Sequence, residues 1–231
     1  MNLPKPCVDY RKLRLSRLNS PEFSHLKLLL YWPLYGLMFL FVERLSPINY
    51  YFPVYTTLDD LIPFNELFLL PYWFWFLFLI GMHVYTLLYD IDAFRGFMKF
   101  IIISYSIAIG IYLVFPTCQE LRPLVLERDN ILTRLVAGLY AFDTSTNVCP
   151  SIHVIGSVAV WCASWHIKAF QTTGWKWFFG ISTFLISVST VFLKQHSVVD
   201  ILMAIPVCVI AYWFSFAKQK QKTTTPAEAT A

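Results

Sequence analysis

Two short stretches hold residue types that can do chemistry together: Asn147-Val148-Cys149-Pro150-Ser151-Ile152-His153, and Lys194-Gln195-His196-Ser197-Val198-Val199-Asp200. His196 and Asp200 are four apart, so on a helix they share one face. A carboxylate that accepts a hydrogen bond from one imidazole nitrogen fixes the tautomer and leaves the other nitrogen free as base or nucleophile. Asp200 opens an apolar run, and an ionised group at membrane depth is costly without a partner. His196 is the obvious one. In the other stretch Pro150 suits the first position of a helix, where its missing N–H costs nothing. The N–H groups that follow lack intrahelical partners and lie at the positive end of the helix dipole, which makes them an anion site, most naturally for phosphate. Ser151 supplies a hydroxyl in that turn, either to a phosphate oxygen or as a plain helix cap. His153 supplies an imidazole suited to protonating a leaving alkoxide. Arg122 can grip phosphate through its planar fork. Lys194 adds a second cation, or is an interfacial lysine. Together they describe a phosphoryl-transfer site.

The elements that must position these residues are membrane helices. The chain has 231 residues, 57% hydrophobic and only 14% charged, where soluble domains carry about 25% charged residues. Six apolar runs approach the length that crosses a bilayer: 28–42, 67–88, 100–115, 151–170, 177–193 and 197–217. The expected architecture is all-α, a polytopic bundle of six transmembrane helices with both termini cytosolic. The first run follows a long charged lead, which is unlike a cleavable signal peptide. Residues 1–27 form a basic cytosolic arm, 28–217 a six-span membrane catalytic domain, and 218–231 a disordered basic, Thr-rich tail. Lys and Arg crowd the two termini and the turns holding Arg95, Lys99, Lys168 and Lys176; fewer occupy the segments holding Arg44, Arg122, Arg128, Arg134 and Lys194. That asymmetry sets the orientation. It also means the net charge of +4 signals membrane topology and not nucleic-acid binding.

With six spans, Arg122 follows the third, His153 opens the fourth and His196 opens the sixth, so all three fall on the outer face. Residues far apart in sequence then share one membrane surface. Asp59 and Asp60 lie on the same face and read as a solvated interfacial loop. His83 and His166 fall near the inner ends of their spans and read as packing or interface residues. Cys118 and Cys149 share the long outer loop; a bridge would tie the arginine segment to the Ser/His segment, but nothing in the sequence fixes their separation.

The segments Phe115-Pro116-Thr117…Leu121-Arg122-Pro123, Cys149-Pro150-Ser151-Ile152-His153 and Gln195-His196…Asp200 resemble the three signature motifs of the type 2 phosphatidic acid phosphatase superfamily, which includes lipid phosphate phosphatases and sphingomyelin- and inositol-phosphoceramide-synthase transferases. The resemblance covers roughly residues 58–206. It implies that His196 attacks phosphorus to give a phospho-histidine supported by Asp200. It implies that His153 protonates the leaving group, that Arg122 and Ser151 hold the phosphate, and that no metal or other cofactor is needed. A lysine common seven residues before the arginine is Phe115 here, a glycine between Ser and His is Ile152, and an arginine six before the second histidine is Thr190; these departures resemble the transferase-like branch, and Lys194 can replace one lost cation. The expected partner is a lipid phosphate in the bilayer, and the expected place is the plasma membrane, with the site on the extracytoplasmic face. Two rivals stand beside this reading. One is a two-His, one-carboxylate metal hydrolase at His153, His196 and Asp200. The other is a non-catalytic lipid-binding or transport bundle.

Overall fold

The computed structural model describes residues 5–45 and 50–217. The tail from Lys218 lies outside them. The chain is a helical bundle with almost no strand, and among the described residues five helices are long and apolar enough to cross a membrane: Ser24–Leu45, Glu66–Tyr89, Ile91–Val114, Thr173–Phe192 and Val198–Ala217.

Helix α1, Tyr31–Leu40, continues a 3₁₀ segment, Ser24–Leu30, and runs on into a π turn, Phe41–Leu45. A short helix α2, Thr57–Leu61, interrupts the loop that follows. Helices α3, Leu69–Tyr89, and α4, Ile91–Val114, are separated by Asp90 alone. Asp90 leaves helical geometry and accepts the Ala93 N–H at 3.0 Å, so one residue ends one helix and caps the next. At 1.5 Å per residue α4 is about 36 Å long, enough for a hydrocarbon core of about 30 Å. It starts earlier than the apolar run implies. Asp92, Arg95 and Lys99 are its first turns rather than a loop, with Arg95 paired to Asp92 at 3.5 Å.

The 116–150 region is not one long loop. It contains α5, Ile131–Phe142, which starts from an Asn130/Thr133 capping box. Val136 of α5 packs with Leu69, Tyr72 and Leu193 in a small second core. Glu66 accepts hydrogen bonds from Arg128 and Asn130, both at about 3 Å, and ties this helix to the head of α3. A two-residue parallel pairing, β1 (Phe52–Pro53) with β2 (Thr117–Cys118), joins the two loops.

The run expected as the fourth span is helix α6, Ile152–Ser164, and a 3₁₀ turn, Lys168–Phe170. With 13 residues, α6 is about 20 Å long. It sits at the centre, packed against α3, α4, α7 (Thr173–Phe192) and α8 (Val198–Tyr212). Its buried side chains are mostly small, including Gly156, Ser157, Ala159, Ala163 and Ser164, which lets backbones approach closely. At Gly156 a Cβ would come within 2.7 Å of Tyr105 Oη and 3.0 Å of Trp75 Nε1. Glycine there is what lets α6 seat between α3 and α4.

Candidate functional site

The turn between α7 and α8 is folded back on itself. The N–H groups of Gln195 and His196 both donate to the Thr190 carbonyl, at 2.9 and 3.1 Å, and Lys194 takes a left-handed φ of 53°. This delivers His196 to the mouth of α8. Its Nδ1 lies 2.9 Å from Asp200 Oδ2, which also accepts the Ser197 N–H at 3.0 Å. Ser197 and Asp200 form a capping box on α8. Asp200 is fully buried and His196 is 7% exposed. With Nδ1–H bound to an anionic acceptor, the Nε2 lone pair is free for a reacting atom. The Cys149 thiol lies near the same carboxylate; burial, then the Asp200 charge, push it up to about 12. It stays protonated and is no rival nucleophile.

His153 stands in the first turn of α6, its ring held between Tyr72 and Trp75 of α3 at centroid distances of 4.5 and 4.6 Å. Its centroid is 5.6 Å from that of His196, with the rings at 68°. Its Nδ1 is buried with no protein partner. The two imidazoles therefore meet, although they come from distant parts of the chain. They face a cavity of about 40 Å³ that Asp143, Asn147 and Gln195 also line.

The other expected residues sit less directly. Helix α6 begins at Ile152 and not at Pro150; Ser151 precedes it, its hydroxyl makes no cap bond, and among the described residues that buried hydroxyl has no partner. Its N–H donates to the Asp200 carbonyl at 3.2 Å, which joins the starts of α6 and α8. Arg122 is near the site, but its fork is occupied. One terminal nitrogen donates to the Tyr140 and Asp143 carbonyls, the other to the Thr144 carbonyl and to Gln195 Oε1 at 2.6 Å. The guanidinium also covers the Tyr140 ring at 4.7 Å, and only Nε lacks a partner. Burial holds its pKa below the usual arginine value, with Asp143 opposing. Lys194 turns away: its ammonium donates to the Asp59 carbonyl at 2.7 Å and lines a separate cleft of about 630 Å³ with Asp60 and Glu120.

Several site residues lie outside the expected set. Asp143 lines the cavity, and burial raises its pKa while the nearby His196 and Arg122 oppose the rise. Glu43 receives Asn147 Nδ2 at 2.7 Å and the hydroxyls of Thr144 and Thr146, and so closes the loop before α6. Gln195 links Arg122 to the histidine turn. Asp59 is not solvated: it is 2% exposed and bonded to the start of α8. Cys118 and Cys149 are both free thiols. Among the described residues no group of three His, Cys, Asp or Glu side chains is arranged to hold a metal ion.

No family model, curated protein or solved structure matches this chain.

Proposed function

We propose that this chain is an integral membrane enzyme that removes the phosphoryl group of a lipid phosphate through a phospho-His196 intermediate, as its resemblance to the type 2 phosphatidic acid phosphatases implies. The observation that carries the reading is the meeting of His153 with a His196 already oriented by Asp200. In the first step His196 Nε2 attacks phosphorus, the bond from phosphorus to the lipid oxygen breaks, and His153 gives its proton to the departing alkoxide. In the second, water attacks the phospho-histidine, His153 takes the water proton, and the P–N bond breaks to release phosphate. Asp200 stabilises the positive imidazole of the intermediate. Arg122 acts mainly through Gln195 and the 140–144 carbonyls, with Nε left for an oxyanion. An alcohol in place of water gives headgroup transfer of the sphingomyelin-synthase type.

In this reading the chain crosses the membrane six times with both termini cytosolic, α6 being the short crossing sheltered by its neighbours. The site then faces outward at the plasma membrane, where a lipid reaches it sideways with its tails in the bilayer. One observation favours a non-catalytic lipid-binding bundle as the second reading: the charges of Arg122 and Lys194 are directed mostly at protein oxygens. The test is turnover by purified protein on a panel of lipid phosphates in detergent, with and without EDTA, scored for phosphate release and headgroup transfer. An alkaline quench, under which phospho-histidine survives, is expected to trap phospho-enzyme in the wild type and none in His196→Ala. Activity that survives His196→Ala ends the proposal.

A further inference from the structure

Asp59 lies 137 residues before His196 in the chain, yet it is built into the histidine turn. Its Oδ2 accepts the Ser197 hydroxyl at 2.6 Å and the Thr56 N–H at 2.9 Å. Its Oδ1 accepts the Val198 N–H at 2.8 Å, one of the α8 donors with no intrahelical partner. Its main-chain carbonyl receives the Lys194 ammonium at 2.7 Å. One residue thus grips the turn at 194, 197 and 198, on both sides of His196. A non-glycine residue in left-handed conformation, Lys194, sits inside that grip, and such a conformation persists only where the surroundings over-determine it. Asp60, next in sequence, is exposed, and among the described residues its side chain accepts the Tyr55 hydroxyl.

We infer that Asp59 is a positioning residue for the reaction at His196: its carboxylate fixes Ser197 and Val198 so that the imidazole meets Asp200 on one side and His153 on the other. Among the described residues its side-chain bonds go to Thr56, Ser197 and Val198 and not to either imidazole, and it does not line their cavity. Its effect therefore belongs in the rate of phosphoryl transfer and not in substrate affinity. The inference rests on the functional reading above and adds a residue from the first loop that none of the three motifs contains.

The experiment compares Asp59→Asn, Asp60→Asn, Ser197→Ala and the Asp59→Asn/Ser197→Ala pair with wild type in full-length protein in detergent, using a diacyl lipid phosphate. Asp59→Asn keeps the shape but must set an NH₂ against one of its donors. A fall in kcat of about 10- to 100-fold is expected, the loss that follows from misplacing a reacting group by about an ångström. KM should stay within about threefold, since a group outside the cavity contributes no ground-state binding. Phospho-enzyme formation should slow in parallel, and Asp60→Asn should behave as wild type. The pair should lose less than the product of the two single losses, because both substitutions disturb the one Asp59–Ser197 contact. Wild-type kcat in Asp59→Asn, an equal loss in Asp60→Asn, or additive losses in the pair would overturn the inference. If Asp59→Asn does not fold, Ser197→Ala decides: a slower kcat at unchanged KM supports it, and wild-type kinetics refute it. If wild type turns over no lipid phosphate, the catalytic reading is what fails. The positioning claim is then read from ¹⁵N-histidine spectra, where the His196 signal must move in Asp59→Asn or Ser197→Ala and stay put in Asp60→Asn.

Discussion

Replacing Asp200 by Asn isolates the charge of the dyad with little change of shape. Asp200 Oδ2 accepts both the His196 Nδ1–H and the Ser197 N–H, while Oδ1 has no partner. An amide can therefore set its oxygen at the Oδ2 position and keep both of these bonds; the Cys149 thiol, which also bonds this carboxylate, must readjust to the amide. The flipped rotamer would oppose its NH₂ to two N–H donors and is disfavoured. What disappears is the negative charge facing the imidazole as it becomes cationic in the transition state. The smallest loss is the difference between a charge-assisted and a neutral hydrogen bond, about 1 kcal/mol, or about fivefold in rate. The largest is the Coulomb attraction of unit charges about 4 Å apart at an effective dielectric of 20, about 4 kcal/mol, or about a thousandfold. Asp200→Asn is thus expected to lower kcat by about 5- to 1,000-fold, with KM little changed. Thermal stability should hold or rise, because the variant removes a fully buried charge. The assays are steady-state phosphate release from micellar lipid phosphate and single-turnover phospho-enzyme formation after alkaline quench. A kcat within twofold of wild type, or a loss confined to KM, would refute the assignment of His196 as a nucleophile supported by Asp200.

The other expectations concern the groups around the dyad. Burial raises the Asp143 pKa, so the folded protein holds a proton that the unfolded chain has released above its ordinary value of 3.8. By linkage stability falls as pH rises from that value through the folded pKa; Asp143→Asn should abolish this fall and raise the midpoint of thermal unfolding at neutral pH, and a variant that tracks wild type across the pH series would contradict it. Arg122→Lys replaces a fork that reaches four oxygens with a point donor, leaves buried acceptors unpaired, and should cost about 1–3 kcal/mol of stability. Because Arg122 acts largely through the loop, KM should change by less than about threefold; an unchanged melting temperature with a tenfold higher KM would show instead that the guanidinium grips substrate.

Much of this arrangement was legible in the sequence because it depends on local periodicity. The four-residue spacing of His196 and Asp200 needs only a helix start, and hydropathy marks the long helices. What was not legible depends on tertiary return. The Asn130/Thr133 pair was a readable helix start, but α5 is too short to read as a span and its polar flanks resemble a loop. Two adjacent aspartates in a proline-rich loop read as solvated; only the fold brings Asp59, and not Asp60, against α8. Lys194 misled by proximity. Two residues before His196 it read as a second cation for phosphate or as an interfacial lysine, but a left-handed backbone there turns its side chain to Asp59. Arg122 bonds to Gln195 of the histidine turn, and what the sequence could not show was that protein carbonyls take up the rest of its fork.

The electrostatics of the site follow from that last point. Asp143 and Asp200 stand close to the imidazoles, while the nearest guanidinium is bound to its own loop. A dianionic phosphate gains little from free cations here. The groups left unpaired and buried are instead Ser151 Oγ, Arg122 Nε, Gln195 Nε2 and His153 Nδ1, together with the acceptors Asn147 Oδ1 and Asp200 Oδ1. A buried polar group without a partner costs about 1–3 kcal/mol, and native structures keep few of them. Six such atoms lie in the segments that hold the two histidines and their partners, among the described residues, which sets this region apart from an apolar packing core. In the proposed reaction the new positive charge arises on the enzyme, at His196, where Asp200 Oδ2 lies 2.9 Å away to meet it. On that proposal, stabilising the phospho-imidazole takes the place of gripping the phosphate, and the uncharged residues Phe115 and Thr190 are compatible with it as long as the His196–Asp200 contact stays intact.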